Sequence, residues 1–328
     1  MKPLVSVLIL TFNQESYIEQ ALRGALMQQC SFPFEILVVD DHSSDATADV
    51  CRRVQAEHPG RIRLVVNPAN KGVVDNYFDS LLLCEGDYIA DCAGDDFWTD
   101  PLKLQRQADI LQRHPDVSLA FTDYAHYDQA TDTFLHHRQR DHTGGQGGRI
   151  SYASFVYDLL NQHDVPFLFL GTACYRKEAF VRAYRAHTDY FRSKDYTCED
   201  FQLCFFLFRE GDFYQELAET TAYRMITDTV SRTVDPQRLY RYTRGVFLLR
   251  TRIVQEFGFD ANRCREALNG LVVPMLSLTN RLGLTDDRRE VWRILRSLRL
   301  RPSWRVCLHG LLGLCPAVGR WLSDRTLR

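Results

Sequence analysis

The chain has 328 residues, 45% hydrophobic and 25% charged, with 18 glycines and 11 prolines. That composition excludes disordered, collagen-like and coiled-coil proteins and leaves one large globular domain or two smaller ones. The formal net charge of −2 argues by itself against a nucleic-acid or membrane partner, but it hides a split: residues 1–235 carry 22 basic and 35 acidic side chains, whereas residues 236–328 carry 18 arginines, no lysine and 7 acids.

Val5–Leu10 is a short apolar run without polar alternation, which predicts a strand buried on both faces. Thr11-Phe12-Asn13-Gln14 ends it, and Ile18, Leu22, Ala25 and Leu26 fall at helical spacing within Ser16–Gln28. Glu35–Val39 is the second strand, and the polar turn Asp40 to Asp45 caps a helix over Ala46–Glu57. Ile62–Val66 is the third strand, Asn70-Lys71-Gly72 opens a helix to Leu83, and Tyr88–Ala90 is the fourth strand, stopping before Asp91 and Gly94-Asp95-Asp96. This alternation predicts an α/β fold, a mostly parallel sheet with helices on both faces. Ligands bind such sheets beyond the carboxyl ends of the strands, so the polar clusters at 11–13, 40–45 and 94–96 are expected to converge in one crevice.

After Pro101 the pattern changes. Leu102–Gln112 reads as a helix, Ser118–Thr122 as a strand, and residues 138–149, with Gly144-Gly145-Gln146-Gly147-Gly148, as a mobile loop. Phe167–Tyr175 reads as a buried strand, Phe201–Phe208 as an aromatic-rich helix, and everything from Pro236 onward as helices. None of the ten cysteines forms a C-x-x-C pair and several sit in apolar runs (Cys84, Cys204, Cys307), which predicts reduced thiols rather than a disulfide framework or a zinc site. Leu4–Leu10 lacks a following cleavage site and no stretch reaches the roughly 18 apolar residues of a spanning helix. The expectation is a cytoplasmic protein, soluble or bound to a membrane surface.

Carboxylates at the strand ends carry the chemical signal. Asp95-Asp96, between a buried strand and Phe97-Trp98, suits Mg²⁺ or Mn²⁺ bridging a diphosphate, because these ions take oxygen ligands and are held by one or two carboxylates plus substrate phosphates. Asp41 can accept the imide N–H of a uracil, and Phe12 can offer an apolar face under the base. Glu199-Asp200 begins a helix, where a carboxylate near the crevice can take a proton from an attacking hydroxyl. Taken singly, each acidic pair also fits a solvated turn or an ordinary helix cap.

In order and spacing these clusters resemble a known family. SVLILTFNQESYIEQAL (6–22), EILVVDDHSSDAT (35–47) and NKGVVDNYFDSLLLCEGDYIADCAGDDFWTDPLKLQRQ (70–107) look like the nucleotide-binding half of glycosyltransferase family 2, inverting enzymes of GT-A fold. A weaker match continues through GTACYRKEAF (171–180) and CEDFQLCFF (198–206). The resemblance implies a UDP-sugar donor and Mn²⁺ or Mg²⁺, with Thr11, Phe12, Asn13, Asp41, Lys71 and Asp95 on the nucleotide-sugar and Asp96 on the metal and diphosphate. It makes Asp200 the general base, with Glu199, Trp98, Arg224 and Asp228 candidates for acceptor binding or closure of the site. Two positions depart from the family pattern: Ala93 stands where many relatives have an acid, and Ile226 where many have a histidine.

The implied layout is a nucleotide-sugar half over residues 1–100, an acceptor half over 101–235 and a basic all-helical C-terminal extension over 236–328. The expected activity is transfer of a sugar to a glycan or lipid-linked acceptor in surface polysaccharide synthesis. A non-catalytic sugar-nucleotide-binding protein is the alternative, and a nucleotidyltransferase is disfavoured because Thr11-Phe12-Asn13 is not a Gly-rich basic phosphate loop. In the extension, Arg289, Arg293 and Arg296 share one helical side and Ser303–Leu322 is apolar with Trp304 and Trp321 near its ends. A basic helix with Trp and Leu fits an anionic membrane surface over residues 286–328, on the inner face of the membrane. A helical cap with a wet arginine face explains the same residues, and no nucleic-acid motif is present.

Overall fold

In the computed structural model, which describes residues 2–136, 141–162, 168–226 and 233–312, the apolar runs form strands β1 (Val5–Thr11), β2 (Phe34–Asp40), β3 (Ile62–Val66) and β4 (Tyr88–Ala93). Helices α1 (Ile18–Leu26), α2 (Thr47–Glu57) and α3 (Val73–Leu83) connect them, so the strands pair in parallel in the order β3-β2-β1-β4. The chain continues through β5 (Phe97–Trp98), α4 (Lys103–Arg113), β6 (Val117–Asp128), β7 (Thr133–His136), β8 (Gly148–Ile150) and α5 (Tyr152–Leu160). Next come β9 (Ala173–Arg176), α6 (Lys177–Ala186), α7 (Thr188–Phe191), α8 (Glu199–Glu210) and β10 (Asp212–Arg224). The ten-stranded sheet runs β3-β2-β1-β4-β9-β6-β10-β5, with β7 on β6 and β8 on β10. β9 is antiparallel to β4 and β6, whereas β6 and β10 are parallel.

Alternate residues of the central strands feed two cores. Val5, Val7, Ile9, Ile36 and Val38 pack with Ile18, Leu22, Cys51, Val54, Leu104 and Ala108 of α1, α2 and α4. A second core joins α3, α6, α7 and α8 through Phe78, Phe180, Phe191 and Phe206, with Phe78–Phe191 and Phe191–Phe206 centroids 4.9 and 5.1 Å apart. Burying such a side chain contributes about 1.5–3 kcal/mol each.

Two expectations are corrected here. The strand expected over Phe167–Tyr175 is a 3₁₀ turn, Leu170–Thr172, followed by the short β9. Its carbonyls are claimed by side chains instead of a neighbouring strand: the Trp98 indole N–H donates to Gly171 O (3.1 Å) and Gln107 Nε2 to Thr172 O (2.7 Å). Within the stretch expected to be a loop, Gly148–Ile150 pairs with Phe213–Gln215 as β8; residues 138–140 lie outside the described residues.

By its contacts the chain divides into two compact units: Met1–Val156, Phe167–Arg192 and Glu199–Ile226 form the first, and Tyr157–Pro166, Ser193–Cys198 and Thr227–Arg328 the second. The first contains the sheet. The second is built on α9 (Pro236–Glu256), α10 (Arg265–Leu282), α11 (Thr285–Ser297) and α12 (Trp304–Leu312). Asp235 caps α9, accepting the N–H groups of Gln237 and Arg238, with Pro236 at the first helical position. Gly283, at φ 74°, ends α10 in the left-handed conformation. Phe247, Ile253, Leu268, Val272, Leu276, Val291, Leu295 and Val306 are buried, while Trp304, Leu308 and Leu311 of α12 are exposed. No helix among the described residues is long and apolar enough to cross a membrane, and the nine described cysteines are free.

Candidate active site

At the carboxyl end of β1 the chain turns through Asn13 in the left-handed conformation (φ 51°). Asn13 is held by the loop after β2: its N–H donates to Ser43 Oγ (2.9 Å), and its Oδ1 accepts from the Ser44 N–H (2.8 Å). Thr11 is buried and its hydroxyl donates to Gln14 Oε1, whereas Phe12 is left half exposed at the rim. At the end of β2, Asp41 is buried. Its Oδ1 accepts from Asn67 Nδ2 (2.8 Å) and the Lys71 N–H (2.9 Å), and its Oδ2 from the Gly72 N–H (3.0 Å).

Gly94 brings the end of β4 against β1. A Cβ there would lie 2.4 Å from Gln14 Oε1 and 2.8 Å from Leu10 O. The following Asp95-Asp96 turn is braced by Arg224, the last residue of β10. The Arg224 N–H donates to Asp96 Oδ1, its Nε to Asp95 O and its Nη2 to Gln20 Oε1, each at 2.7 Å. Burial pushes the Asp96 carboxyl well above the usual carboxylate range, the Asp95 charge adds to the lift, and Arg224 opposes it. Burial also raises Asp95. Two adjacent hard-oxygen acids with Arg224 as their shared counter-charge suit a divalent cation, and Asp96 Oδ2 takes no hydrogen bond among the described residues. The chain's donor set thus fits Mn²⁺ or Mg²⁺ completed by substrate oxygens; the described residues offer no group of three or more His, Cys, Asp or Glu for a cation.

Glu199 and Asp200 open α8. Asp200 is exposed, and its Oδ1 accepts from the Phe201 N–H (2.9 Å). Burial and the neighbouring Asp200 charge push Glu199 up to about 8, and the charge of Asp91 on β4 adds to this. Burial and the Asp200 charge thus favour the protonated form of Glu199.

Other residues singled out in the sequence fall elsewhere. The Lys71 ammonium pairs with Asp79 Oδ2 (2.8 Å), so Lys71 reaches the site through its backbone N–H. Trp98 is buried against Gly171 with the Lys103 ammonium 4.4 Å from its ring centroid. Arg224 is buried as a brace. Asp228 lies outside the described residues. Gln14, Gln20, Asn67, Asn76 and Asp91 escaped the sequence reading, since amides and an isolated strand acid carry no spacing signal.

The mostly parallel sheet flanked by helices is a GT-A fold. The chain superposes on residues 1–349 of TarS from S. aureus, solved with UDP-GlcNAc, at a TM-score of 0.62 and 17% identity, covering 100% of this chain and 90% of that one. It matches Glycosyl transferase family 2 over residues 6–183 and belongs to that family. The uncharacterized protein Rv1520 of Mycobacterium tuberculosis is 41% identical over 117 residues, 36% of this chain and 34% of that protein. The putative teichuronic acid biosynthesis glycosyltransferase TuaG of Bacillus subtilis is 32% identical over 139 residues, 41% of this chain and 53% of that protein. These matches thus span about a third to a half of the relatives' length.

Proposed function

We propose that this glycosyltransferase moves a sugar from a UDP donor to a hydroxyl of a glycan or lipid-linked acceptor in surface polysaccharide synthesis, with inversion at the anomeric carbon. What supports the reading is the acid set Asp41 after β2, Asp95-Asp96 after β4, and Glu199-Asp200 at the start of α8. The UDP-GlcNAc held by TarS and the polysaccharide named for TuaG support it from outside.

In this reading Phe12 stacks under the base, Asp41 accepts the imide N–H, and Thr11 and Asn13 shape the nucleoside pocket. Asp95 faces the ribose and phosphates. Asp96, with Asp95, would hold Mn²⁺ or Mg²⁺, which when bound would supply positive charge to the departing diphosphate. Asp200 takes the proton of the acceptor hydroxyl as that oxygen bonds to the anomeric carbon. The bond from that carbon to the diphosphate oxygen breaks, and UDP leaves with the electron pair. The raised Glu199 carboxyl disfavours a second charge beside the base. One displacement turns an α-linked donor into a β-linked product.

The test is transfer or hydrolysis across a panel of UDP-sugars with Mn²⁺, comparing wild type and Asp200→Asn. The expected loss is on the order of 10²–10⁴-fold in kcat. Unchanged turnover removes Asp200 as the base. Donor binding without turnover in wild type favours a sugar-nucleotide-binding protein, the reading that Ala93 and Ile226 suggest.

We also infer that the arginine-rich second unit rests on an anionic membrane surface at the cytoplasmic face. Arg293, Arg296, Arg299, Arg301 and Arg305 are exposed and have no ion-pair partner among the described residues, next to the exposed Trp304, Leu308 and Leu311.

A further inference from the structure

Asp41 has few acceptor positions left. A carboxylate offers about four lone-pair sites. Oδ1 uses two, on Asn67 Nδ2 at 2.8 Å and the Lys71 N–H at 2.9 Å, while Oδ2 receives the Gly72 N–H at 3.0 Å and a longer arm of the Lys71 N–H at 3.2 Å. These contacts come from three N–H groups, the Lys71 N–H being shared between the two oxygens, so of about four positions one remains, on Oδ2.

What fixes that oxygen is a pair of buried amides. Asn67 and Asn76 are 6% and 4% exposed, so little water competes for their bonds. The two protons of Asn67 Nδ2 go to Asp41 Oδ1 and to Asn76 Oδ1, both at 2.8 Å. This sets the sense of the amide: turned over, Asn67 would aim its own oxygen at two acceptors. The Asn67 backbone is pinned on either side of Asp41, its N–H donating to Asp40 O (2.9 Å) and its carbonyl lying 3.2 Å from His42 Nδ1. Asn76 is anchored in the first turn of α3, its N–H donating to Gly72 O (3.0 Å).

We propose that Asn67, held by Asn76, is the positioning residue that sets base selectivity, by locking the carboxylate so that its one open acceptor faces the nucleobase. Uracil offers an N–H at ring position 3 and fits that acceptor. Cytosine, of nearly the same size, offers a lone pair there and meets a carboxylate of the same polarity. The inference rests on the UDP reading and goes past it to the residues that enforce it.

The experiment measures binding of UDP and CDP to the full chain with Mn²⁺ by calorimetry. Wild type is expected to prefer UDP by about 10–100-fold. Asn67→Ala should weaken UDP about 10-fold and leave CDP within about twofold, collapsing the ratio. General loosening of the fold would weaken both nucleotides alike. Asn76→Ala, which removes only the remote acceptor, should lower the ratio by a smaller factor and serves if Asn67→Ala does not fold. A wild type that binds neither nucleotide, or both equally, overturns the donor reading and this inference with it. A wild type that prefers UDP, with both variants keeping the same ratio, overturns this inference alone.

Discussion

The guanidinium of Arg224 lies 4.9, 5.2 and 5.1 Å from the ring centroids of Tyr17, Phe97 and Tyr127. It also bridges Gln20 on α1 to the carbonyl of Asp95. Only a planar fork can stack on rings and donate in two directions at once; a lysine ammonium is a point charge on a flexible stem. Arg224→Lys should therefore destabilise the fold by about 1–3 kcal/mol, the cost of leaving Gln20 and the Asp95 carbonyl without partners. Urea denaturation measures it. Because the Asp95-Asp96 turn loses its brace, the Mn²⁺ concentration for half-maximal sugar transfer should rise about 10-fold. Asp96→Asn, which keeps the shape but removes the charge, should abolish the Mn²⁺ response with a much smaller change in the urea midpoint. Equal Mn²⁺ titrations for wild type and Asp96→Asn would remove Asp96 from the metal site.

Strand β4 carries a second acid whose consequence is felt by the element. Asp91 is buried and its Oδ1 has no hydrogen-bond partner, although Tyr77 donates to Oδ2 (2.8 Å). Burial pushes it up to about 7, against the opposing effects of Tyr77, Tyr175 and Lys103. The unfolded chain releases this proton near the ordinary carboxylate value, while the native chain holds it to about 7. Native protein binds more protons throughout that window, so stability falls as pH rises from about 4 to 7 and levels off above it. Glu199 acts in the same sense up to about 8. Asp91→Asn should then match wild type near pH 4 and exceed it by about 2–4 kcal/mol at pH 8. Melting temperatures across pH 4–8 read this directly, and parallel curves for the two proteins would contradict it. Elements such as β2 were legible in the sequence because both faces are buried, which turns a strand into an apolar run, whereas β4 was legible only to Ala90 because Asp91 interrupts its run. β10 was not: Asp212–Arg224 mixes Glu, Gln and Thr, and its pairing with β6, β8 and β5 is decided by residues up to about 125 positions away. The strand expected over Ser118–Thr122 likewise extends to Asp128, because β7 folds back on Ala125–Asp128. Arg224 was therefore visible as a residue but not as a brace, whereas Asp41 and Asp95-Asp96 followed from the ends of legible strands.

At the scale of the whole molecule the charge separation is the property to explain. Solubility does not require it, since an evenly mixed surface serves as well. In the second unit Arg289, Arg293 and Arg296 share the exposed side of α11, and only Arg289 has an ion-pair partner among them, Asp286 at 2.9 Å. α12 then exposes Trp304, Leu308 and Leu311, at 71%, 44% and 64%, spaced i, i+4 and i+7 on one face. Val306 on its other side is buried, and a Cβ at Gly310 would lie 2.4 Å from the Trp292 ring, so α12 is fixed with that stripe outward. Each arginine near an anionic bilayer contributes about 1 kcal/mol, and the Trp and Leu side chains add apolar insertion. The full chain should sediment with vesicles containing 30% anionic lipid at roughly 50 mM salt, bind uncharged vesicles far less, and be released as screening increases. Trp304→Ala combined with Leu308→Ala and Leu311→Ala should weaken binding roughly 10-fold or more without removing its salt dependence. Reversing Arg293 and Arg296 to Glu should remove the preference for anionic lipid. Binding that ignores vesicle charge would contradict the arginine assignment. Loss of preference in neither variant would mean that the exposed face of the helical unit serves as its solvent side.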